Sequence, residues 1–179
     1  MLTHSIMFIV LSSVSLIFLA CSESGENDAT GIPLVPALDL NRYLGTWYEI
    51  ARMPHRFEKD LIKVTATYSL REDGKIKVVN RGFNLKKNEW SEATGKAWVP
   101  DSTAPALLRV SFFWIFAADY RVIELEQENY SYAMVTSSSK KYFWILSRTP
   151  TLDENIYSSL INRARQHGFE TGKIEKVPH

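Results

Sequence analysis

Few side chains in this sequence are spaced for catalysis or metal binding. The four histidines (His4, His55, His167 and His179) lie far apart, and Cys21 is the single cysteine among 179 residues. This spacing predicts neither a zinc nor a haem site, and we expect no cofactor. The patterns of phosphate loops, dinucleotide folds and nucleophile elbows do not occur. The sequence therefore favours a binding protein over an enzyme.

The composition limits the class of partner. Lysine and arginine total 21 against 20 aspartate and glutamate, and the net charge of +1 argues against a nucleic-acid partner. A hydrophobic fraction of 45% and an aromatic fraction of 12% are typical of a folded globular domain. The length allows one domain with a core of its own.

The first 20 residues differ in composition from the rest of the chain. They carry no Asp, Glu, Lys or Arg, and residues 6–19 form an apolar run that is too short for a permanent transmembrane helix. Such a segment is typical of a secretion signal. Residues 21–37 are polar and then interrupted by Pro33 and Pro36, as in a tether. We therefore expect a leader over residues 1–20, a tether over 21–37 and one domain over 38–179.

The sequence around Cys21 resembles the acylation site of bacterial lipoproteins. Phe18 and Leu19 end the apolar run, and the small residue Ala20 directly precedes the cysteine. The resemblance implies cleavage before Cys21 and acylation of the new amino terminus, with the several chains that stable anchoring needs. Ser22 implies sorting to the outer membrane, with the domain on its periplasmic face. The alternative is a free thiol behind an ordinary signal peptide or an uncleaved anchor.

The elements that position any binding residues are predicted to be strands. Runs rich in Val, Ile, Thr, Tyr, Phe and Trp alternate with turn-forming clusters. We predict eight strands, over residues 45–52, 64–70, 76–83, 91–99, 106–113, 119–126, 130–136 and 142–148. Eight sequentially paired strands remove their exposed edges by closing into an all-β, antiparallel up-and-down β-barrel. A two-sheet sandwich is the alternative.

The pattern changes after Pro150. Apolar residues recur at helical spacing over residues 156–164, and Gly168 follows as a terminator. We expect one C-terminal α-helix packed on the outside of the barrel. Residues 169–177 are predicted to add one more short strand.

Three motifs resemble those of the lipocalin family. Gly45 and Trp47 match the Gly-x-Trp signature of the first strand, Asp119 and Tyr120 stand where the second motif lies, and Arg148 ends the eighth strand like the arginine of the third. Residues 63–68, 110–113 and 145–150 are similar to bacterial lipocalins that are outer-membrane lipoproteins. The resemblance covers about residues 38–170 and implies the same eight-stranded barrel.

One pair is expected to close the barrel. In an up-and-down barrel the first strand begins, and the eighth ends, at the same end, so Trp47 and Arg148 should meet there beside Gly45. A guanidinium over an indole contributes about 0.5 to 2 kcal/mol. We expect these residues to stabilise the fold rather than to bind a ligand.

Strand alternation predicts the residues of the inner face. An eight-stranded barrel has room for one small ligand, although each of these side chains could also be packed core. The predicted ligand-binding residues are Glu49, Ala51, Tyr68, Leu108, Val110, Phe112, Tyr132, Met134, Tyr142, Trp144 and Leu146.

The open end is expected at the connections over residues 53–62, 84–90, 114–118 and 137–141. The apolar run over residues 112–116 includes Trp114 and Ile115 and is predicted to touch a bilayer or an entering acyl chain, or else to be a buried loop or a dimer contact. Four residues could place positive charge there for a carboxylate or phosphate head group, namely His55, Arg56, Lys59 and Lys63. Glu58 and Asp60 interleave with them, which favours a plain solvated loop.

The sequence thus leads to three hypotheses. The first is an outer-membrane-anchored protein that stores or transports a lipid with a long acyl chain, a fatty acid or a lysophospholipid, and that could form a homodimer. The second is a lipid-modifying enzyme that uses Glu49 with a tyrosine as general acid or base. The third is a structural envelope protein whose barrel is filled by its own side chains.

Overall fold

The fold is a closed antiparallel barrel, as predicted. The computed structural model describes residues 30–113 and 116–179. From the first strand to the eighth, each strand pairs with the next, and the first also pairs with the eighth, which closes the sheet. The strands are β1 (Gly45–Arg52), β2 (Leu61–Leu70), β3 (Ile76–Asn84), β4 (Glu89–Trp98), β5 (Leu107–Phe113), β6 (Phe116–Leu125), β7 (Tyr132–Thr136), β8 (Phe143–Ser147) and β9 (Glu175–Lys176). The short β9, expected from the sequence, pairs with β1 at Ala51 and Arg52.

Two helices flank the barrel. The single-turn helix α1 (Leu40–Tyr43) begins where Asp39 accepts a hydrogen bond from the Asn41 amide at 2.9 Å. The predicted C-terminal helix is α2 (Glu154–Gln166), which Asp153 caps in the same way and which ends before Gly168 at φ +80°. A 3-10 helix (Thr171–Lys173) leads into β9. Among the described residues, 30–113 and 116–179, no helix is long and apolar enough to cross a membrane.

Two separate apolar clusters show which face of each strand is inside. The inner cluster fills the barrel towards one end and includes Trp47, Tyr68, Leu108, Val122, Val135 and Leu146. The outer cluster joins the barrel wall to α2 and includes Ile50, Ala51, Ile123, Met134, Phe143, Ile145, Leu160 and Ala164. Because α2 covers the wall, both faces of β7 and β8 are apolar.

The residues before β1 run along the barrel wall to one end. Ile32 accepts a hydrogen bond from Arg121 at 3.0 Å, and the Val35 amide donates to Val122 at 3.0 Å, both beside the middle of β6. Leu38 then joins the inner cluster and α1 covers this end of the barrel. We call this end the base, and the opposite end, where the connection between β1 and β2 lies, the mouth.

Candidate functional site

The base is closed by the predicted pair of Trp47 and Arg148. The Arg148 guanidinium lies 3.9 Å from the centre of the Trp47 ring. It also donates hydrogen bonds to the carbonyl oxygens of Thr46 (3.0 Å), Arg42 (2.7 Å), Tyr43 (3.2 Å) and Tyr130 (3.3 Å). Burial lowers the pKa of Arg148. One side chain therefore holds together the backbone of α1, β1 and the connection between β6 and β7.

Three tyrosine hydroxyls form the floor above this pair. Tyr43 and Tyr68 both meet the hydroxyl of Tyr120, at 2.8 and 3.0 Å. Burial raises the pKa of all three, to about 12 for Tyr68, so they stay neutral and satisfy one another. The Tyr43 ring lies 4.8 Å from the Trp47 ring. Neither Tyr43 nor Tyr120 was predicted from the sequence to be a floor residue.

The inner wall above the floor keeps accessible surface. Ala97 belongs to the inner cluster, and by alternation Gly95, Ala93 and Ser91 share its face; Ala93 and Ser91 are exposed. Other residues packed against the inner cluster are only half-buried, namely Ala66, Val110, Phe112, Tyr120 and Trp144. Since these side chains point into the barrel, accessible surface on them requires space inside it. The arrangement is an apolar, aromatic cup that opens at the mouth.

A chain of charged groups lines the wall near the mouth. The Glu49 carboxylate lies 2.9 Å from the Arg52 guanidinium, which also donates to the Leu61 carbonyl oxygen at 3.1 Å. The His55 ring nitrogen Nε2 lies 2.9 Å from the Glu58 carboxylate, and Trp144 donates its indole hydrogen to the same oxygen at 3.1 Å. These contacts attach the connection between β1 and β2 to the inner wall.

The two carboxylates in this chain differ in acidity. Burial, and then the nearby charge of Glu58, raises the pKa of Glu49 well above its usual value. Burial alone would also raise the pKa of Glu58, but the close His55 ring and the Trp144 donor hold that pKa below its usual value. Glu58 is therefore the more readily ionised of the two.

Most of the predicted inner residues lie where alternation puts them. Tyr68, Leu108 and Leu146 are buried in the inner cluster, and Val110, Phe112 and Trp144 pack against it. The Glu49 carboxylate is buried against Arg52. Tyr142 stacks on Trp144 with the ring centroids 6.2 Å apart. Contact of these residues with a ligand stays a prediction.

Three predicted inner residues lie outside instead. The register of β1 against β8 shifts between Glu49 and Ala51, and this β-bulge turns Ala51 outward and Arg52 inward. On β7, Met134 joins the outer cluster and Tyr132 packs against it, whereas Ala133 and Val135 face inward. Both faces of β7 are apolar, so the sequence offered no polarity contrast to fix the face.

The mouth carries exposed apolar side chains and cations. Phe57 and Leu85 lie in the connections at this end and Phe116 is the first residue of β6, and 57 to 72% of the surface of each is exposed. Arg56 and Lys59 are exposed there, as predicted, but His55 is buried beside Glu58. Trp114 and Ile115, for which the sequence predicts a bilayer or acyl-chain contact, lie outside the described residues, as do residues 1–20 and Cys21.

The comparison with known families decides the classification. A family model described as a lipocalin-like domain matches residues 38–179. The chain belongs to the lipocalin family. Family membership makes this lipocalin a binding protein rather than an enzyme, so the hypothesis of Glu49 as a catalytic acid or base is wrong. Glu49 is instead a buried partner of Arg52.

Relatives and solved structures agree with this classification. The lipocalin is 44% identical over 165 residues to the outer membrane lipoprotein Blc of Citrobacter freundii, covering 92% of this chain and 93% of the relative. The corresponding protein of Vibrio cholerae is 43% identical over 171 residues, covering 93 and 94%. Identity at this level over nearly the whole chain assigns this lipocalin to the outer membrane. Insecticyanin of the tobacco hornworm has the same fold, with a TM-score of 0.67 at 21% identity over 83% of this chain and 84% of that one.

Proposed function

We propose that this lipocalin binds one lipid with a single long acyl chain, a fatty acid or a lysophospholipid, and stores or carries it for maintenance of the outer membrane. The accessible, apolar inner wall above a closed floor supports the proposal. Burying roughly 12 methylenes at about 0.8 kcal/mol each gives a gross gain near 10 kcal/mol, from which association and ordering costs are subtracted. We expect micromolar or tighter binding.

The same proposal includes attachment to the membrane through an acylated Cys21. Its support is the apolar leader that ends at Ala20 and the polar stretch that follows the cysteine. Mass spectrometry of the amino-terminal peptide of the membrane-extracted protein tests it. Acyl chains on Cys21 are expected, and an unmodified thiol would contradict this part of the proposal.

The ligand is tested by extracting the purified full chain and identifying bound lipids by mass spectrometry. We expect about one acyl-chain lipid per protein, and saturable binding when the delipidated protein is titrated with palmitate. A protein that carries no lipid and does not bind palmitate would instead fit a barrel filled by its own side chains.

A matched pair of variants on β4 tests whether the ligand lies inside. Ala93 is exposed on the inner face, and its neighbour Thr94 is exposed on the outer face. Ala93→Trp places an indole in the proposed acyl path and is expected to weaken palmitate binding at least tenfold. Thr94→Trp adds the same side chain outside and should leave the affinity unchanged. Equal affinities of both variants and the parent protein would rule out a ligand inside the barrel.

The predicted homodimer is also part of the proposal. Sedimentation of the detergent-solubilised protein over a range of concentrations tests it, with a dimer expected and a monomer at all concentrations contradicting it.

A further inference from the structure

The mouth differs from the base in charge as well as in shape. Its described connections, residues 53–60, 85–88 and 137–142, carry six Lys or Arg residues (Arg56, Lys59, Lys86, Lys87, Lys140 and Lys141) against Glu58 and Asp60. At the base, the connections over residues 71–75, 99–106 and 126–131 together with Asp39, α1 and Arg148 carry four (Arg42, Arg71, Lys75 and Arg148) against six acids (Asp39, Glu72, Asp73, Asp101, Glu126 and Glu128). The protein is therefore positive at the mouth and negative at the base, although its net charge is only +1.

Three exposed apolar side chains stand among the mouth cations. We call Phe57, Leu85 and Phe116 the rim; they are 58, 57 and 72% exposed. The two connections that carry Phe57 and Leu85 are held together, because the Leu85 amide donates to the Asp60 carbonyl oxygen at 3.0 Å and Lys86 lies 3.2 Å from the Asp60 carboxylate. The rim is thus presented by strand ends and fixed connections.

Further aromatic and basic groups surround the rim. The Arg56 guanidinium lies 4.7 Å from the centre of the Phe57 ring. On the outer wall near the mouth, Trp90 is 49% exposed, and the Arg81 guanidinium lies 4.2 Å from its ring. Exposed aromatics with neighbouring cations are suited to the headgroup region of a membrane, where the ring meets the acyl boundary and the cation meets phosphate.

The amino-terminal segment leaves the base along the barrel wall. Ala37 accepts a hydrogen bond from Gln127 at the base, whereas the Val35 amide donates to Val122 and the Ile32 carbonyl oxygen accepts from Arg121, both beside the middle of β6. The chain followed backwards has thus left the base and reached the middle of the wall by Ile32. Cys21 is nine residues before Thr30, which is a reach of about 30 Å at most.

We propose that the mouth docks on an anionic phospholipid surface, with the rim inserted at the headgroup level and the surrounding cations on the phosphates. The barrel then opens directly onto the membrane. The inference deepens the proposed function, because an acyl chain could pass between bilayer and cup without crossing water. The docking itself depends only on the mouth and not on the identity of the ligand.

The test measures which end of the anchored protein meets the lipid. The full chain is placed in vesicles of phosphatidylethanolamine with phosphatidylglycerol, and a bimane label is attached at Leu85→Cys in the rim or at Glu72→Cys in a base connection. Parent protein treated with the label corrects for any reaction at Cys21. Doxyl-labelled phospholipids are expected to quench the Leu85→Cys probe at least threefold more than the Glu72→Cys probe.

Charge variants test the electrostatic part. Each lysine near an anionic surface raises the equilibrium constant for docking about fivefold. Replacing three lysines should therefore lower this constant about a hundredfold and remove the difference in quenching between the rim probe and the base probe. The variant replaces Lys86, Lys87 and Lys141 with glutamine. A matched control replaces three lysines near the base, Lys75, Lys77 and Lys96, and should keep the difference. One molar salt should act like the mouth variant.

Three outcomes would overturn the proposal. The first is equal quenching of the two probes, and the second is quenching of the rim probe that is unchanged in the mouth variant. The third is a rim probe that is shielded from water but not quenched, because this would indicate that a second protein copy covers the rim. Palmitate titration of the mouth variant separates this inference from the proposed function. Intact palmitate binding without oriented docking would remove only the inference, and oriented docking without palmitate binding would remove only the proposed function.

Discussion

Replacement of Arg148 by lysine is the most direct test of how the base is held. Lysine keeps the positive charge but has no planar group to lie on Trp47, and it can reach one or two of the four carbonyl oxygens that Arg148 contacts. Two lost hydrogen bonds at about 1 kcal/mol each and a lost stacking contact of about 1 kcal/mol give a destabilisation of about 3 kcal/mol. For a domain of this size, the melting temperature should fall by about 6 to 12 °C.

The assay is urea unfolding followed by tryptophan fluorescence, with a double-mutant cycle. Trp47→Leu removes the indole, so the combined Trp47→Leu and Arg148→Lys variant should be more stable than the sum of the two single effects implies, by about 1 kcal/mol. Arg71→Lys is the control, since Arg71 pairs with Asp73 at an exposed turn and should leave the midpoint unchanged. A loss below about 1 kcal/mol, or a strictly additive cycle, would refute the assignment of Arg148 as the clamp of the base.

Three further predictions concern Gly45 at the base, Glu49 near the mouth and Met134 on the outer wall. Gly45 has φ +95°, and a Cβ there would lie 3.3 Å from Arg148, so Gly45→Ala should cost about 1 to 3 kcal/mol in urea unfolding. Because burial raises the pKa of Glu49 in the folded protein, its contribution to stability is lost as the pH rises above the usual value of 4.5. Glu49→Gln should therefore gain stability relative to the parent as the pH rises from 4.5 towards neutrality, and parallel profiles would contradict this. Met134→Ala should cost about 2 to 5 kcal/mol and leave palmitate affinity unchanged, because Met134 packs outside the barrel; weaker binding at constant fold would place it inside.

The strands could be predicted from sequence because most of them alternate cleanly. On β2, Tyr68 points inward and its neighbours Thr67 and Ser69 do not, and this contrast fixes the face. The helix α2 could be predicted for the same reason, from its apolar stripe. The short helix α1 could not, because its four residues carry no period, and it is set by the Asp39 cap and by burial of Tyr43 at the base.

The inner face could be predicted only while the register stayed regular. One shift between Glu49 and Ala51 exchanges the places of Ala51 and Arg52, and a strand pattern contains no mark for such a bulge. The guanidinium beside the Glu49 carboxylate on the inner wall could therefore not be predicted, and Glu49 was predicted only as a ligand-binding residue. On β7 the error at Met134 has another cause, since an apolar helix outside and an apolar cup inside select the same residue types.

The buried charges near the mouth explain how an open-ended cup keeps a defined edge. Burying carboxylates costs free energy unless they are paired, and Glu49 lies 2.9 Å from the Arg52 guanidinium while Glu58 lies 2.9 Å from the His55 ring. The partner of Glu58 is His55, in the connection between β1 and β2, and Trp144 on β8 holds the same carboxylate. These contacts attach the connection that presents Phe57 to the barrel wall. Trp144→Phe, which keeps a ring but removes the donor, should therefore increase amide exchange in residues 53–60 while leaving exchange in the base connections unchanged. Uniform exchange changes throughout the barrel would show that Trp144 acts through general stability instead.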